Sequence, residues 1–409
     1  VSFGAVGTPM LVGVQGGLDK ILITNELNLK GFEWEYFFKI IVSEVAVIHS
    51  ICGTFMPLLL VLIMTRFFGK NKSWLEGLSI LPFAIFSALS FTIPYLLAGI
   101  FLGPEFPSII GGLLGLIIVT TAIKRHFLIP KDIWDFPKDS EWPSYWLGEL
   151  KIPNISNVKH KISTINSWFP YIFLAILLII SRTNDYVSNF LKSVNFKFVN
   201  ILNEENIDAS FQILYLPGGI LIFVCFCTFI FHNMNLKNVL RVFNDSSKTI
   251  LSAGFVLIFT VPLVRIMINS GVNSLEFSSM PIAMAEGVSG LMGNIYPIFA
   301  PAVGAIGAFL AGSNTVSNLM LSQFQFETAN ILGLSGAFMV AAQSVGAAAG
   351  NMIAIHNVVA ASATVGLIGK EGITLRITII PTLYYVIFAG IITFLGFFVF
   401  DLVDPLTQI

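Results

Sequence analysis

The sequence predicts an all-α polytopic membrane protein with about ten to twelve membrane segments. Only 11% of its 409 residues are charged, whereas soluble domains carry roughly 25%. The mean hydropathy is +0.84, and several apolar runs approach the roughly 20 residues that span a bilayer as a helix. These runs are continuous rather than alternating at period two, which excludes an outer-membrane barrel as well as a soluble domain.

The first half of the chain contains three apolar stretches of membrane length. Segment 38–64 is a long, mainly apolar stretch that ends at a basic loop. Segment 75–102 is equally apolar but contains Pro82 and Pro94, which kink or divide a helix. Segment 109–123 follows a short Gly- and Pro-containing turn. We therefore expect three or more crossings before the long polar insert that begins at residue 124.

The second half alternates apolar and polar stretches in the same way. We predict three single spans, at 168–180, 211–231 and 249–268. Two helix pairs rich in small residues follow at 281–312 and 333–368, and the last span is at 377–400. Glycines recur within the pairs, for example Gly304 and Gly307, and again at 346–350. Such spacing lets helix backbones approach closely in lipid.

Lys and Arg are concentrated in alternate loops. They are enriched in four of them, at 66–72, 124–131, 237–248 and 370–376. Because positive residues mark cytoplasmic loops, we expect these four loops in the cytoplasm. The C-terminus then lies outside.

The run Gly-Ser-Asn-Thr at 312–315 interrupts an apolar, Gly/Ala-rich helix. Free backbone groups are tolerated at membrane depth only where protein or a water-filled cavity covers them, and broken helices often form solute sites in carriers. Segment 2–9 has the same texture, so two broken segments favour a transporter. The alternative is a plain hairpin loop in water. The absence of charge between Glu286 and Glu327 argues against it.

Other biochemical classes find little support. The chain has no H-E-x-x-H, G-x-S-x-G or Walker A motif, and its five histidines are scattered, so we expect neither an enzyme nor a metal site or other cofactor. A formal net charge of −1 gives no basic surface for nucleic acid. The expected partners are the lipid bilayer and a small solute. The oligomeric state stays open.

A few polar residues fall at membrane depth. Glu44 lies early in span 38–64, where an interfacial role and a proton-coupling role are both open. Arg265 lies near the end of span 249–268. It either reaches the interface or offers its guanidinium to a carboxylate. Gln343, Asn351 and His356 lie within a stretch of five polar residues, 343–357, which we interpret as one helix lining a polar cavity.

Several sequence blocks together resemble the L-lactate permease family. They are FGAVGTPMLVG at 3–13, VRIMINSG at 264–271, GAFLAGSNTVSN at 307–318 and AAQSVGAAAGNMIAIHNVVAASATVGLIGKEG at 341–372, and FLGPEFPSIIGGL at 101–113 is also similar. Members of this family are bacterial cytoplasmic-membrane symporters that move lactate, and often glycolate, with protons. The resemblance implies a multi-pass carrier in the cytoplasmic (inner) membrane, built from two inverted repeats with broken helices.

Family members normally carry a substantial part before the FGAVGTP-like segment. The resemblance therefore implies that the first repeat is incomplete here. It divides the chain into the tail of the first repeat with the following spans, a polar cytoplasmic insert, linking spans and loops, and a second repeat, at 1–123, 124–168, 169–248 and 249–409. We expect that these 409 residues alone do not transport lactate.

We expect the substrate carboxylate to bind to hydroxyl and amide groups at the Gly-Ser-Asn-Thr tip, 312–315. The predicted ligands there are Ser313, Asn314 and Thr315, with Gly7 and Thr8 as the opposing tip. Broken helices expose N–H groups whose dipole favours an anion.

Further candidates surround this tip. We predict that Asn318, Gln343, Asn351 and Arg265 complete the substrate site, with Gln343 or Asn351 binding the 2-hydroxyl group. For the proton, His356 is the first candidate and Glu44 the second.

The tip is also similar to hairpin tips of sodium-coupled dicarboxylate transporters. A sodium-coupled carrier of di- or tricarboxylates is therefore the alternative function, and an anion channel is a further one. The near absence of Lys and Arg at membrane depth favours a monocarboxylate, and two dissimilar broken segments in one chain favour a carrier over a channel.

Overall fold

The computed structural model describes residues 11–130, 135–138, 141–143, 146, 163–198, 209–364, 367 and 370–407. The chain divides into two compact units. Of the described residues, 11–146 and 257–407 belong to the larger unit, and 163–256 belong to the smaller one. The candidate site lies in the larger unit.

The described residues in the first part of the larger unit form seven helices: α1 (Val12–Gly17), α2 (Lys20–Leu29), α3 (Trp34–Gly53), α4 (Met56–Phe68), α5 (Trp74–Leu78), α6 (Leu81–Phe101) and α7 (Pro107–Lys124). The predicted span 38–64 is thus divided between α3 and α4. Pro82 lies in the first turn of α6, where a missing N–H is tolerated, and Pro94 lies inside that helix.

The smaller unit contains α8 (Thr164–Thr183), α9 (Asp185–Ser193), β1 (Phe196–Phe198), β2 (Ala209–Phe211), α10 (Pro217–Phe231) and the start of α11 (Leu236–Ile268). β1 and β2 form an antiparallel ribbon, which the all-α prediction did not include. The prediction of a basic loop at 237–248 was wrong. No Pro or Gly lies between Leu236 and Gly254, so the basic segment 237–248 forms the first turns of α11.

The second part of the larger unit follows α11 and a 3₁₀ turn at Asn269–Gly271. Its helices are α12 (Met280–Met292), a 3₁₀ turn (Gly293–Ile298), α13 (Ala300–Ala311), α14 (Asn314–Ile331), α15 (Gly336–Gly350), α16 (Ile355–Thr364) and α17 (Glu371–Phe398).

Helix α15 forms the centre of the larger unit. All 15 of its residues are buried, and α3, α13, α14 and α17 pack around it. Nine of these residues are Gly or Ala. Such small side chains leave room for four neighbouring helices to approach one short helix. The middle of α15 carries Gln343 and Ser344 into this core.

Among the described residues, five helical segments are long and apolar enough to cross a membrane: Trp34–Phe68, Leu81–Phe101, Pro107–Lys124, Asn166–Thr183 and Glu371–Phe398. A sixth is counted if Met280–Ile298 and Ala300–Ala311, bent by 97° at Phe299, form one span. α10 and α15 are shorter apolar helices. A polytopic helical membrane protein is confirmed, whereas the number of ten to twelve segments stays a prediction.

Candidate functional site in the larger unit

The predicted helix break forms a tight turn between α13 and α14. Gly312 ends α13 with a φ of +71°, in the left-handed region that favours glycine. Ser313 then caps α14, because its hydroxyl accepts a hydrogen bond from the N–H of Val316 at 3.4 Å. Asn314 and Thr315 already belong to the first turn of α14. The break is therefore confirmed.

The amide of Asn314 is enclosed by protein, with 1% of the residue exposed. A solvated hairpin loop would leave it exposed. The Nδ2 group of Asn318 donates a hydrogen bond to Oδ1 of Asn314 at 2.9 Å and to Oγ of Ser344 at 3.3 Å. Oδ1 of Asn318 is buried, and no described residue donates to it. The site thus holds a buried acceptor that is suited to a donor from outside the described chain.

A second chain of hydrogen bonds runs beside the first. Ser317 Oγ donates to the Gly304 carbonyl at 2.9 Å, and Gln343 Nε2 donates to Ser317 Oγ at 3.2 Å. Gln325 Nε2 donates to Gln343 Oε1 at 3.0 Å. The Tyr296 hydroxyl donates to Gln325 Oε1 at 2.8 Å. These bonds connect α13, α14 and α15.

We call six of these residues the polar network: Asn314, Ser317, Asn318, Gln325, Gln343 and Ser344. All six are buried, and their functional groups are uncharged amides and hydroxyls. Buried polar groups of this kind stabilise a unique arrangement only when most of them are bonded. Uncharged amides and hydroxyls of this kind suit a small polar solute or a monoanion.

Glycines set the distance between α13 and α15. A Cβ at Gly304 would overlap the main-chain oxygen of Gln343, and a Cβ at Gly346 would overlap that of Pro301. At Gly350 it would meet the backbone of Ala305. The prediction that these small residues mark tight helix contacts is confirmed.

Helix α1 packs against the first turns of α14. A Cβ at Gly13 would overlap the carbonyl oxygen of Thr315, and a Cβ at Gly17 would overlap that of Leu319. The predicted opposing tip, Gly7 and Thr8, lies outside the described residues. The helix that directly follows it in sequence is nevertheless in contact with Thr315.

The interpretation of 343–357 as one helix was wrong. α15 ends at Gly350, a turn follows, and α16 begins at Ile355. Asn351 caps the end of α15; its Oδ1 atom is buried and has no hydrogen-bond donor among the described residues. The Asn357 amide donates to the Asn351 carbonyl at 3.2 Å. His356 lies in α16, and its side chain is not among those that the structure describes.

The two ionic candidates lie apart from the polar network in their contacts. Arg265 is exposed near the end of α11, and its carbonyl accepts a hydrogen bond from the Asn269 amide at 2.8 Å. No described hydrogen bond joins its guanidinium to the polar network. Glu44 is half-buried on α3. Its Oε2 atom is buried without a hydrogen-bond partner in the described part of the chain.

Sequence reasoning missed most of the polar face of α14. Of the polar network, Ser317, Gln325 and Ser344 were not predicted as site residues. The signal was available, because α14 carries seven uncharged polar residues that are all buried: Asn314, Ser317, Asn318, Ser322, Gln323, Gln325 and Thr328. A helix that polar needs a protein or aqueous neighbour on every side.

Comparison with known proteins identifies the family to which the chain belongs. The sequence profile of the L-lactate permease family matches residues 1–400. The putative L-lactate permease of Haemophilus influenzae is 30% identical over 420 residues, which cover 97% of the chain and 69% of that protein.

Two further relatives agree with this assignment. The L-lactate permease of Salmonella typhimurium is 26% identical, over 99% of the chain and 70% of that protein. The glycolate permease GlcA of Escherichia coli is 26% identical, over 98% of the chain and 69% of that protein. No solved structure matches the chain. The chain, a multi-pass membrane protein, belongs to the L-lactate permease family.

Proposed function

We propose that the protein is a secondary active transporter that imports L-lactate with a proton across the bacterial cytoplasmic membrane, with glycolate as a second substrate. The family match over residues 1–400 carries this proposal. Relatives named L-lactate permease and glycolate permease support these two short 2-hydroxymonocarboxylates. In this proposal the protein is a carrier rather than an enzyme.

The substrate carboxylate binds at the start of α14. The first N–H groups of a helix have no partner within it, and the helix dipole favours an anion there. Ser313, Asn314 and Thr315 add hydroxyl and amide donors, with Gly7 and Thr8 contributing from the preceding tip. Two or three charge-assisted hydrogen bonds of about 1.5–3 kcal/mol each offset the desolvation of a monoanion.

The 2-hydroxyl of the substrate needs a buried acceptor. Oδ1 of Asn318 and Oδ1 of Asn351 are buried oxygens to which no described residue donates. Gln343 holds the lining in place, because its amide is already bonded to Gln325 and Ser317. Arg265, which is exposed, attracts the anion before it binds.

Proton coupling requires a group that binds and releases a proton during the cycle. Glu44 supports this role through a buried carboxylate oxygen with no described hydrogen-bond partner. His356 supports it through its place in α16, next to Asn357, which bonds to the end of α15. These are the two groups that the sequence predicts for this role.

Counterflow tests the function. The intact protein in proteoliposomes loaded with unlabelled substrate should accumulate labelled L-lactate and glycolate in a saturable way. Uptake should rise with external acidity and ignore sodium. Sodium-dependent uptake of succinate would instead support a di- or tricarboxylate carrier, and non-saturable flux without counterflow would identify a channel.

A further inference from the structure

The larger unit contains a chamber that is separate from the polar network. This cavity of about 620 Å³ is bordered by α3, α4, α6, α7, α15 and α17. Six hydrogen-bonding side chains line it: His49, Ser87, Thr92, Tyr95, Ser108 and Tyr385. The remaining lining is mainly apolar. Because one water takes about 30 Å³ in the liquid, the chamber is wide enough for several waters beside its polar wall.

His49 forms part of this wall from the C-terminal part of α3. It is 7% exposed, and its Nδ1 atom lies 2.6 Å from the hydroxyl oxygen of Tyr385 on α17. The same hydroxyl is 3.4 Å from the main-chain oxygen of His49. The Tyr384 hydroxyl donates to the Cys52 carbonyl at 2.9 Å. Two adjacent tyrosines therefore fasten the last long helix to α3 around a buried imidazole.

The titratable groups around His49 are few in the described part of the chain. On α3 itself they are Glu44, just over one turn earlier, and Cys52. Tyr95 faces the imidazole from α6, with ring centroids 6.4 Å apart, and Tyr385 faces it from α17 beside Tyr384. The residues of α4, α7 and α15 that line the cavity have no ionisable side chains.

Helix α15 connects this chamber to the polar network. Its residues Ala348 and Ala349 and the following Met352 line the cavity. Gln343 and Ser344, which belong to the polar network, lie about one turn earlier on the same helix. Four residues of α-helix rise about 6 Å. A shift of α15 therefore changes both the chamber and the polar network.

We propose that His49, paired with Tyr385, is the residue that binds and releases the transported proton, and that α15 links its protonation to the substrate site. An intramembrane histidine is by default a candidate functional residue, and imidazole changes charge near physiological pH. This inference rests on the proposed proton symport, and it names a residue that neither the sequence reasoning nor the family match assigned.

The hydrogen bonds define how the proton is accommodated. We assign the neutral ring as the Nε2–H tautomer, in which Nδ1 accepts the Tyr385 hydroxyl proton. A hydronium ion in the chamber transfers one proton to the histidine and becomes water. In the resulting imidazolium Nδ1–H donates to Tyr385, and the tyrosine hydroxyl turns to the His49 carbonyl, which is 3.4 Å away. When the histidine releases the proton, Nδ1 again accepts the hydrogen bond from the Tyr385 hydroxyl.

The first test separates proton coupling from substrate binding. Intact wild type, His49→Gln and Tyr385→Phe are reconstituted, and lactate uptake driven by a pH gradient is compared with counterflow at equal pH. We expect His49→Gln to lose about tenfold or more of the gradient-driven accumulation, the size of a typical coupling free energy, while counterflow persists. Tyr385→Phe should move half-maximal uptake to lower pH, because the protonated ring loses an acceptor.

Matched controls are His232→Gln, at the end of α10, and Tyr171→Phe, which is 58% exposed. Both should behave as wild type. The proposal would be overturned if His49→Gln kept the gradient-driven accumulation and the pH profile of the wild type. It would also be overturned if a well-folded His49→Gln variant lost counterflow. Wild type without lactate counterflow would instead refute the proposed function.

A measurement independent of substrate completes the test. Diethyl pyrocarbonate modifies neutral imidazole, and mass spectrometry identifies the labelled residue. We expect His49 in the intact protein to be labelled from the chamber, more slowly as the pH falls. No labelling of His49 under conditions that label His232, or labelling that ignores pH, would refute a proton-binding role even if transport were absent.

Discussion

At the scale of single residues, the buried amides of α14 and α15 use most of their hydrogen-bonding capacity on each other. Gln343 bonds at both ends of its amide, and Asn314 accepts from Asn318. Leaving one such group unpaired costs about 1–3 kcal/mol. The unfilled acceptor on Asn318 is therefore the atom at which a substrate donor gains most.

Replacing Asn314 by Ala should abolish lactate uptake while leaving expression intact. The change removes a proposed carboxylate donor and leaves the Asn318 amide without its 2.9 Å acceptor. Asn330→Ala, on the exposed end of the same helix, is the control. Initial uptake rates in proteoliposomes measure the effect, and wild-type rates in Asn314→Ala would contradict the site assignment.

At the scale of helices, the site depends on how closely α13 approaches α15. The two helices touch backbone to backbone through Gly304, Gly346 and Gly350. This contact presents the Gly304 carbonyl to Ser317 and keeps Gln343 within reach of the same hydroxyl. Three glycines thus define the spacing of a polar lining to which they contribute no side chains.

Gly346→Ala should destabilise the protein, because the added methyl group would overlap the Pro301 carbonyl. Overpacking of this kind costs about 1–3 kcal/mol. Gly290→Ala is a matched control in α12, where no atom lies within 4 Å of the added Cβ and alanine is the better helix former. Thermal unfolding in detergent should be lowered for Gly346→Ala only; equal melting temperatures would disprove the tight contact.

The other end of α15 is held by a carboxylate from the C-terminal segment. Oδ2 of Asp404 accepts hydrogen bonds from the Ser335 hydroxyl and the Ala337 N–H, each at 2.9 Å. Oδ1 accepts from the N–H groups of Leu406 and Thr407. Asp404 is 1% exposed, so it is a buried cap rather than a solvated terminal charge.

Asp404→Asn should therefore reduce stability by about 1–2 kcal/mol, because an amide cannot accept at both positions and the negative charge at the helix N-terminus is lost. Asp401→Asn is the control: Asp401 is exposed with a φ of +48°, which Asn adopts readily. Unfolding temperatures of the two variants compare them. An Asp404→Asn protein as stable as Asp401→Asn would exclude the capping role.

At the scale of the larger unit, the early and late parts of the chain are folded together. The Asp19 N–H donates to the Gln323 side chain at 2.6 Å, and the Lys30 ammonium donates to the Leu406 carbonyl at 2.8 Å. The hydroxyl of Tyr385 meets His49 across 336 positions of sequence. Residues from both parts therefore line the chamber, whereas the six residues of the polar network all come from the late part.

Transport of one lactate with one proton moves no net charge. Uptake by the intact protein should therefore rise when a pH gradient is imposed and stay unchanged when a potassium diffusion potential is imposed at equal pH. The comparison uses valinomycin-treated proteoliposomes, with protonophore as the control for the gradient. Uptake that follows the potential would show that the coupling is not one proton to one lactate.

The local features of the site were predictable, and the long-range ones were not. Gly312 and Ser313 are residue types that favour a helix end and an N-cap, so the turn could be predicted from adjacent residues. Segment 333–368 was predicted to form a helix pair, but 343–357 was interpreted as one helix although Gly350–Asn351 is an ordinary helix end. The pairing of Gln343 with Ser317, and of His49 with Tyr385, depends on packing between helices, which no local pattern specifies.

The 97° bend at Phe299 sets the depth that an anion has to reach. The 12 residues of α13 rise about 18 Å, less than the roughly 30 Å of hydrocarbon in a bilayer. α13 alone therefore cannot carry the turn at Gly312 from one membrane surface to the other. An anion that reaches the start of α14 from the side of the bend has less than the full hydrocarbon layer to cross, which lowers the Born energy that opposes its passage.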